Sequence, residues 1–115
     1  MGLIIRKKAS KRQLQEISGH FRGYIKVVVD IEREILAGGS DRHADDEKIL
    51  LDDGSKQENL WGGGFDLETN EIDYNSVINL RPNKSNSSRD ILSDKTRKKF
   101  ANIIKGLLSQ DGYAK

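Results

Sequence analysis

"YIKVVVDIEREILAGG", residues 24–39, decides how the rest of the chain is read. It is rich in β-branched residues, which fit a pleated and half-buried surface better than a helix. The pattern predicts two strands around a tight turn near Glu32–Arg33. No Asn-Gly pair marks that turn, so turn chemistry does not set the register. Gly38 and Gly39 stop the second strand. Asp30 interrupts the apolar run "VVVDI", and a carboxylate inside a central strand needs a partner. Arg81, forming a structural ion pair, or a backbone donor would serve.

Working outward, "GLIIR" forms a short first strand, and Ser10 opens a helix with Gln13 three residues on as its capping partner. Leu14, Ile17 and Phe21 make one apolar stripe, and Gly19 and Gly23 bracket its end. On the other side of the hairpin, "SDRHADDEKILLDDG" (40–54) reads as a short helix. Asp45, Asp46 and Glu47 crowd its first turn, where the helix dipole favours negative charge, and Gly54 suits its C-terminal cap. A second hairpin runs from about Gln57 to Arg81 and turns at "ETNE" (68–71). In its second arm Ile72, Tyr74, Ser76, Ile78 and Leu80 share one face, with Asp73, Asn75, Val77, Asn79 and Arg81 on the other. Gly62, Gly63 and Gly64 follow Trp61; they would let a ligand approach the backbone or bend an edge strand around its ring, and the bend is the expectation.

The last helix has the clearest signature. Ser93 is its N-cap, and Phe100, Ile103, Ile104, Leu107 and Leu108 fall at the spacing of a helix packed on a sheet. Strands and helices mix without a repeated β-α unit, so the fold class is α+β. The expected architecture is a small antiparallel sheet of two hairpins, packed by an N-terminal and a C-terminal amphipathic helix. A short helix lies between the hairpins. Residues 1–115 read as one domain, with a core over about 3–109 and a tail at 110–115.

Hydrophobic residues make up 35% of the chain and charged ones 33%, but the periodicity marks a folded domain rather than disorder. The absence of cysteine excludes disulfides, thiolate zinc sites and cysteine nucleophiles. "MGLIIRKKAS" has too few apolar residues before its basic cluster for a signal peptide, and Arg6 stands where a myristoylation signal wants Ser or Thr. No run approaches a membrane span, so a cytoplasmic protein is expected. Charge is segregated. Residues 1–26 hold seven Lys or Arg and one Glu, residues 27–80 four against fourteen Asp or Glu, and residues 81–115 nine against three. Either the basic ends fold back over the acidic middle, or the surface is bipolar and copies associate head to tail as a homo-oligomer. An acidic centre repels phosphate and no aromatics interleave the basic clusters, which argues against nucleic acid.

Pro82 ends the alternation of residues 72–81 and opens a run of amides, hydroxyls and cations. Arg81, Lys84 and Arg89 stand there with Asn83, Asn86, Ser87 and Ser88, beside Asn79 and just before a helix start. Such groups suit an anion, because helix N-terminal N–H groups point outward and the dipole helps. Lys95, Arg97, Lys98 and Lys99 in the first turns of that helix oppose its dipole, as a site for an anionic small molecule or an acidic protein surface does. This reading is a non-enzymatic binding module without a cofactor. The alternative is a small hydrolase or nuclease-like enzyme. His43 would be its acid/base, Asp30 or Asp45 its orienting carboxylate, and Arg81 would stabilise developing negative charge. Two histidines, His20 and His43, cannot make a His-rich metal site, and no metal is assigned.

Taken in order, "VVDI" (28–31), "HADDE" (43–47), "GSKQENLWG" (54–62), "SVINLRP" (76–82) and "NSS" (86–88) resemble a family of small prokaryotic proteins catalogued as a domain of unknown function. The resemblance spans nearly the whole chain from the first helix to the last. It implies a compact cytosolic domain with no established activity.

Overall fold

Residues 24–39 fold as the predicted hairpin in a computed structural model that describes residues 2–18, 23–81 and 86–109. Strand β2 (Tyr24–Asp30) pairs antiparallel with β3 (Ile35–Gly38), and the turn takes Ile31 to Glu34. Asp30 holds that turn. Its Oδ1 accepts the backbone N–H groups of Glu32 and Arg33 at 2.9 Å each, so the partner is the backbone rather than Arg81. Glu34 then adopts φ 59°, the left-handed region that an L side chain rarely occupies.

Five strands make one antiparallel sheet in the order β1-β3-β2-β4-β5, with β1 spanning Leu3–Ile5, β4 Leu60–Asp66 and β5 Ile72–Asp73. The turn between β4 and β5 repeats the device of the first. Asp66 Oδ1 accepts from Glu68 and Thr69 N–H, and Asn70 takes φ 64°.

Helices cover both faces of the sheet. Helix α1 (Lys11–Ser18) begins with the capping box read from sequence: Gln13 N–H donates to Ser10 Oγ and Ser10 N–H to Gln13 Oε1. Helix α3 (Asp94–Leu108) is capped by Ser93, whose Oγ accepts from Thr96 N–H. Leu14 and Ile17 of α1, with Phe100, Ile104 and Leu108 of α3, pack on Ile25, Val27, Val29, Leu36, Trp61 and Phe65. Helix α2 (His43–Asp52) lies on the opposite face, where Leu50 joins Val28, Ile35, Ala37 and Leu60. Gly54, at φ +104°, ends it: Gly54 N–H donates to Leu51 O and Ser55 N–H to Leu50 O, which Asp53 N–H also reaches. The fold is α+β. Among the described residues no helix is long and apolar enough to cross a membrane. Gly19, His20, Phe21, Pro82, Asn83, Lys84 and the tail 110–115 lie outside the described residues.

Two expectations need correction. The second arm of the second hairpin is a strand only over Ile72–Asp73, after which the chain leaves the sheet for a 3-10 turn at Val77–Asn79. Strand β4 has a strand on both sides only at Gly64 and Phe65, and its glycines serve close packing. A Cβ on Gly62 would lie 2.7 Å from Ser76 Oγ, and one on Gly63 would meet the Asp73 carbonyl and come within 2.7 Å of Phe100 Cζ. A Cβ on Gly64 would meet the Tyr24 hydroxyl, which crosses the strand to donate to Asp73 Oδ2 at 2.6 Å. We expect Gly63→Ala to lower stability by about 2 to 3 kcal/mol in urea unfolding, because the obstructing Asp73 atom is backbone and cannot swing aside. A loss below about 0.5 kcal/mol would contradict this packing.

Candidate functional site

Over the described residues 74–81 and 86–92 the chain runs beside β4 with no regular element but the 3-10 turn at Val77–Asn79, so its polar groups need other partners. Asn79 supplies one set of partners. Its buried amide pairs with Gly62 as a neighbouring strand residue would, accepting from Gly62 N–H at 2.8 Å and donating to Gly62 O at 2.9 Å. The same Nδ2 reaches the carbonyls of Tyr74 and Arg89. Arg81 completes the edge, donating from Nη2 to Leu60 O, from Nε to Ile78 O at 3.1 Å and from Nη1 to Glu58 O at 3.4 Å. Its guanidinium stacks on the Trp61 ring, 4.6 Å from the centroid. Burial lowers its pKa, and nearby Glu47 opposes the shift.

Asn86 is the second buried amide. Its backbone bridges to Arg81 in both directions, at 3.0 and 2.7 Å, which closes the loop between them at its base. Its Nδ2 reaches the carbonyls of Asn79, Ser88 and Asp90, and its Oδ1 accepts from Leu92 N–H at 3.0 Å. Asn86 therefore fixes the path into α3. Asn79, Arg81 and Asn86 are held largely by backbone groups, whereas Ser87 and Arg89 are exposed and Ser88 is half-buried. Lys84 belongs to the part of the loop outside the described residues.

On α3, Lys95, Lys98, Lys99 and Lys105 are exposed and follow helical spacing along the outer face. Arg97 turns inward instead, over the Tyr74 ring at 3.9 Å, and donates to Ile91 O. Lys105 did not stand out in the sequence because it is a full two turns from the basic cluster; its spacing from Lys98 was the available signal. Among the described residues, ion pairs join Arg6 and Arg33 to Asp53, Arg42 to Asp45 and Lys48 to Asp52; none involves α3. The basic N-terminal stretch thus reaches the acidic centre through Arg6. The two arginines hold the Asp53 carboxyl below its usual range.

The residues of the enzyme reading do not meet in a bond. His43 opens α2, and its Nε2 lies 2.7 Å from Gly63 O. A carbonyl only accepts, so Nε2 carries the proton in the neutral ring. Burial lowers the His43 pKa, the Gly63 bond opposes this, and Lys26 adds to it. Asp30 Oδ1 is occupied in its turn while its buried Oδ2 has no hydrogen-bond partner among the described residues, Asp45 pairs with Arg42 at the surface, and Arg81 lies at Leu60, three residues from Gly63 along β4. Among the described residues no group of three or more potential ligands could hold a metal ion.

Asp46 is the titratable group that sequence reading passed over as a dipole partner. It is wholly buried, and apart from Ser40, which stands beside it, neither carboxylate oxygen has a polar partner among the described residues. Burial pushes its pKa from 3.8 up to about 6, with Ser40 opposing and Asp45 adding to the rise. The only signal in the sequence was its place one turn before buried Leu50.

A family model described as a protein of unknown function, DUF5674, matches residues 3–107. Neither the curated proteins nor the solved structures contain a match to the chain.

Two outcomes follow from this geometry. Because the folded pKa of Asp46 lies above its unfolded value, the folded state holds that proton more tightly. Its contribution to stability is present below pH 4 and is lost as pH rises through 6, about 3 kcal/mol in all. Asp46→Asn should remove this pH dependence and be more stable than the parent at pH 7, as unfolding at pH 4.5 and 7 would measure; parallel curves would refute it. Asn86→Ala should cost about 2 to 4 kcal/mol and shift the Leu92 amide resonance, since several buried backbone groups lose their partner at once. A near-neutral Asn86→Ala would mean that those groups find water instead.

Proposed function

We propose, for a chain that belongs to the DUF5674 family of proteins of unknown function, a non-enzymatic binding module. Its surface accepts anionic groups along a line from the loop at 81–89 onto the outer face of α3. The observation that carries this reading is the row of unneutralised cations on α3. Lys95, Lys98 and Lys99 occupy the first turns, where positive charge is unfavourable, and no carboxylate among the described residues pairs with them. An anion or an acidic partner removes that disadvantage.

Rigidity supports the same reading. The buried amides of Asn79 and Asn86 tie the loop to β4 and to the start of α3, so Ser87, Ser88 and Arg89 are presented on a fixed base. A preorganised loop loses less conformational freedom on binding. Arg81 contributes chiefly as part of that base, and Lys84 extends the loop's positive charge.

The test is an amide NMR titration of the whole chain with sulfate and, separately, with a hexaglutamate peptide. Saturable shifts are expected at Ser87–Leu92 and Lys95–Lys99, weakening as sodium chloride is raised. Lys98→Glu with Lys99→Glu should reduce affinity by at least about fivefold, roughly 1 kcal/mol. Absence of saturation with both probes, or unchanged affinity in the double variant, would overturn the proposal.

A further inference from the structure

The opposite face of the sheet carries a separate feature. Between α2 with the 3-10 turn at Gln57–Asn59 and the turn at Val77–Asn79 lies an open groove of about 720 Å³. That volume is within the usual range for small-molecule sites. Its lining is mixed in a specific way. Val77 and Leu80, 56% and 47% exposed, are two of the four large apolar side chains left open on the described surface, and both line this groove. Glu47 and Glu58 supply negative charge, and Lys56 and Arg81 positive charge.

Arg81 makes the groove more than a crevice. Its guanidinium is half-buried, fixed by three carbonyls and by Trp61, and no carboxylate among the described residues lies within ion-pair distance. A guanidinium has five N–H donors, so two remain on a residue that lines the groove. A purely anionic ligand would meet Glu47 and Glu58, and a purely cationic one would meet Arg81 and Lys56. The complement of this lining carries both signs of charge on an apolar body.

We infer that the groove binds a short peptide with free termini and aliphatic side chains. Its carboxylate is received by Arg81 and Lys56, its ammonium by Glu47, and its side chains by Val77 and Leu80. The site shares Arg81 with the base of the loop at 81–89 but uses none of the α3 lysines.

The experiment is an amide NMR titration of the whole chain with Leu-Leu, with its N-acetylated form and with its C-terminal amide. Leu-Leu should give saturable shifts at Glu47 and at Val77–Arg81, and each blocked form should bind at least about tenfold more weakly. Leu80→Ser and Glu47→Gln, both at exposed or half-exposed positions, should weaken Leu-Leu binding without moving the melting temperature. The inference fails if Leu-Leu does not saturate by about 10 mM, a concentration well above an ordinary weak site. It also fails if the blocked forms bind equally well, or if the shifts fall only on α3.

Discussion

The amide of Asn79 completes the sheet. Strand β5 pairs with β4 for two residues only, and the chain then leaves, so the outer edge of β4 from Leu60 to Gly62 has no strand beside it. Asn79 answers the N–H and the carbonyl of Gly62 together, and Arg81 answers Leu60 O. Buried backbone groups without partners cost several kcal/mol between them, so these side chains are structural requirements of the β4 edge. That edge in turn needs glycine. A side chain on Gly62 would run into Ser76 and hold Asn79 away.

The same few contacts sort the surface. With Asn79, Arg81 and Asn86 directed into the fold, the exposed chemistry divides between two sides of the sheet. One side carries Arg89 and the lysines of α3, which no carboxylate among the described residues neutralises; the other carries a groove with both charges and an apolar wall. The acidic centre is met by the basic N-terminal stretch through Arg6, and the lysines of α3 remain open. Charge segregation along the sequence therefore becomes segregation in space only in part.

Local signals were the legible ones. The stripe of α3, the Ser10–Gln13 box, Ser93 and Gly54 each depend on residues three to eight positions apart, and each stands where its sequence places it. The arm after Ile72 did not. Its apolar residues alternate with a period of two as in a strand, but Ser76 and Asn79 use their side chains on backbone groups and draw the chain into a 3-10 turn. Val77 and Leu80 are left at the surface as a result. Asp30 was correctly seen to need a partner, and the partner was its own turn. Asp46 was unreadable because its burial depends on how α2 lies against the sheet, a tertiary fact that the first-turn position conceals. For the loop at 81–89, sequence showed which polar residues gather but not which face inward. Asparagine looks the same in both roles.

The borrowed edge at Gly62 also bears on how safely the chain can fluctuate. A strand held by a neighbouring strand gives up its partner one residue at a time, whereas one held by Asn79 loses both bonds in a single side-chain rotation. Local opening of residues 74–81 would bare the outer edge of Leu60–Gly62, an uncharged stretch with free N–H and C=O groups. Exposed edges of that kind template intermolecular strand pairing. The buried asparagine thus acts as a guard against aggregation, and the margin against self-association is set by the free energy of opening this one segment rather than by that of global unfolding.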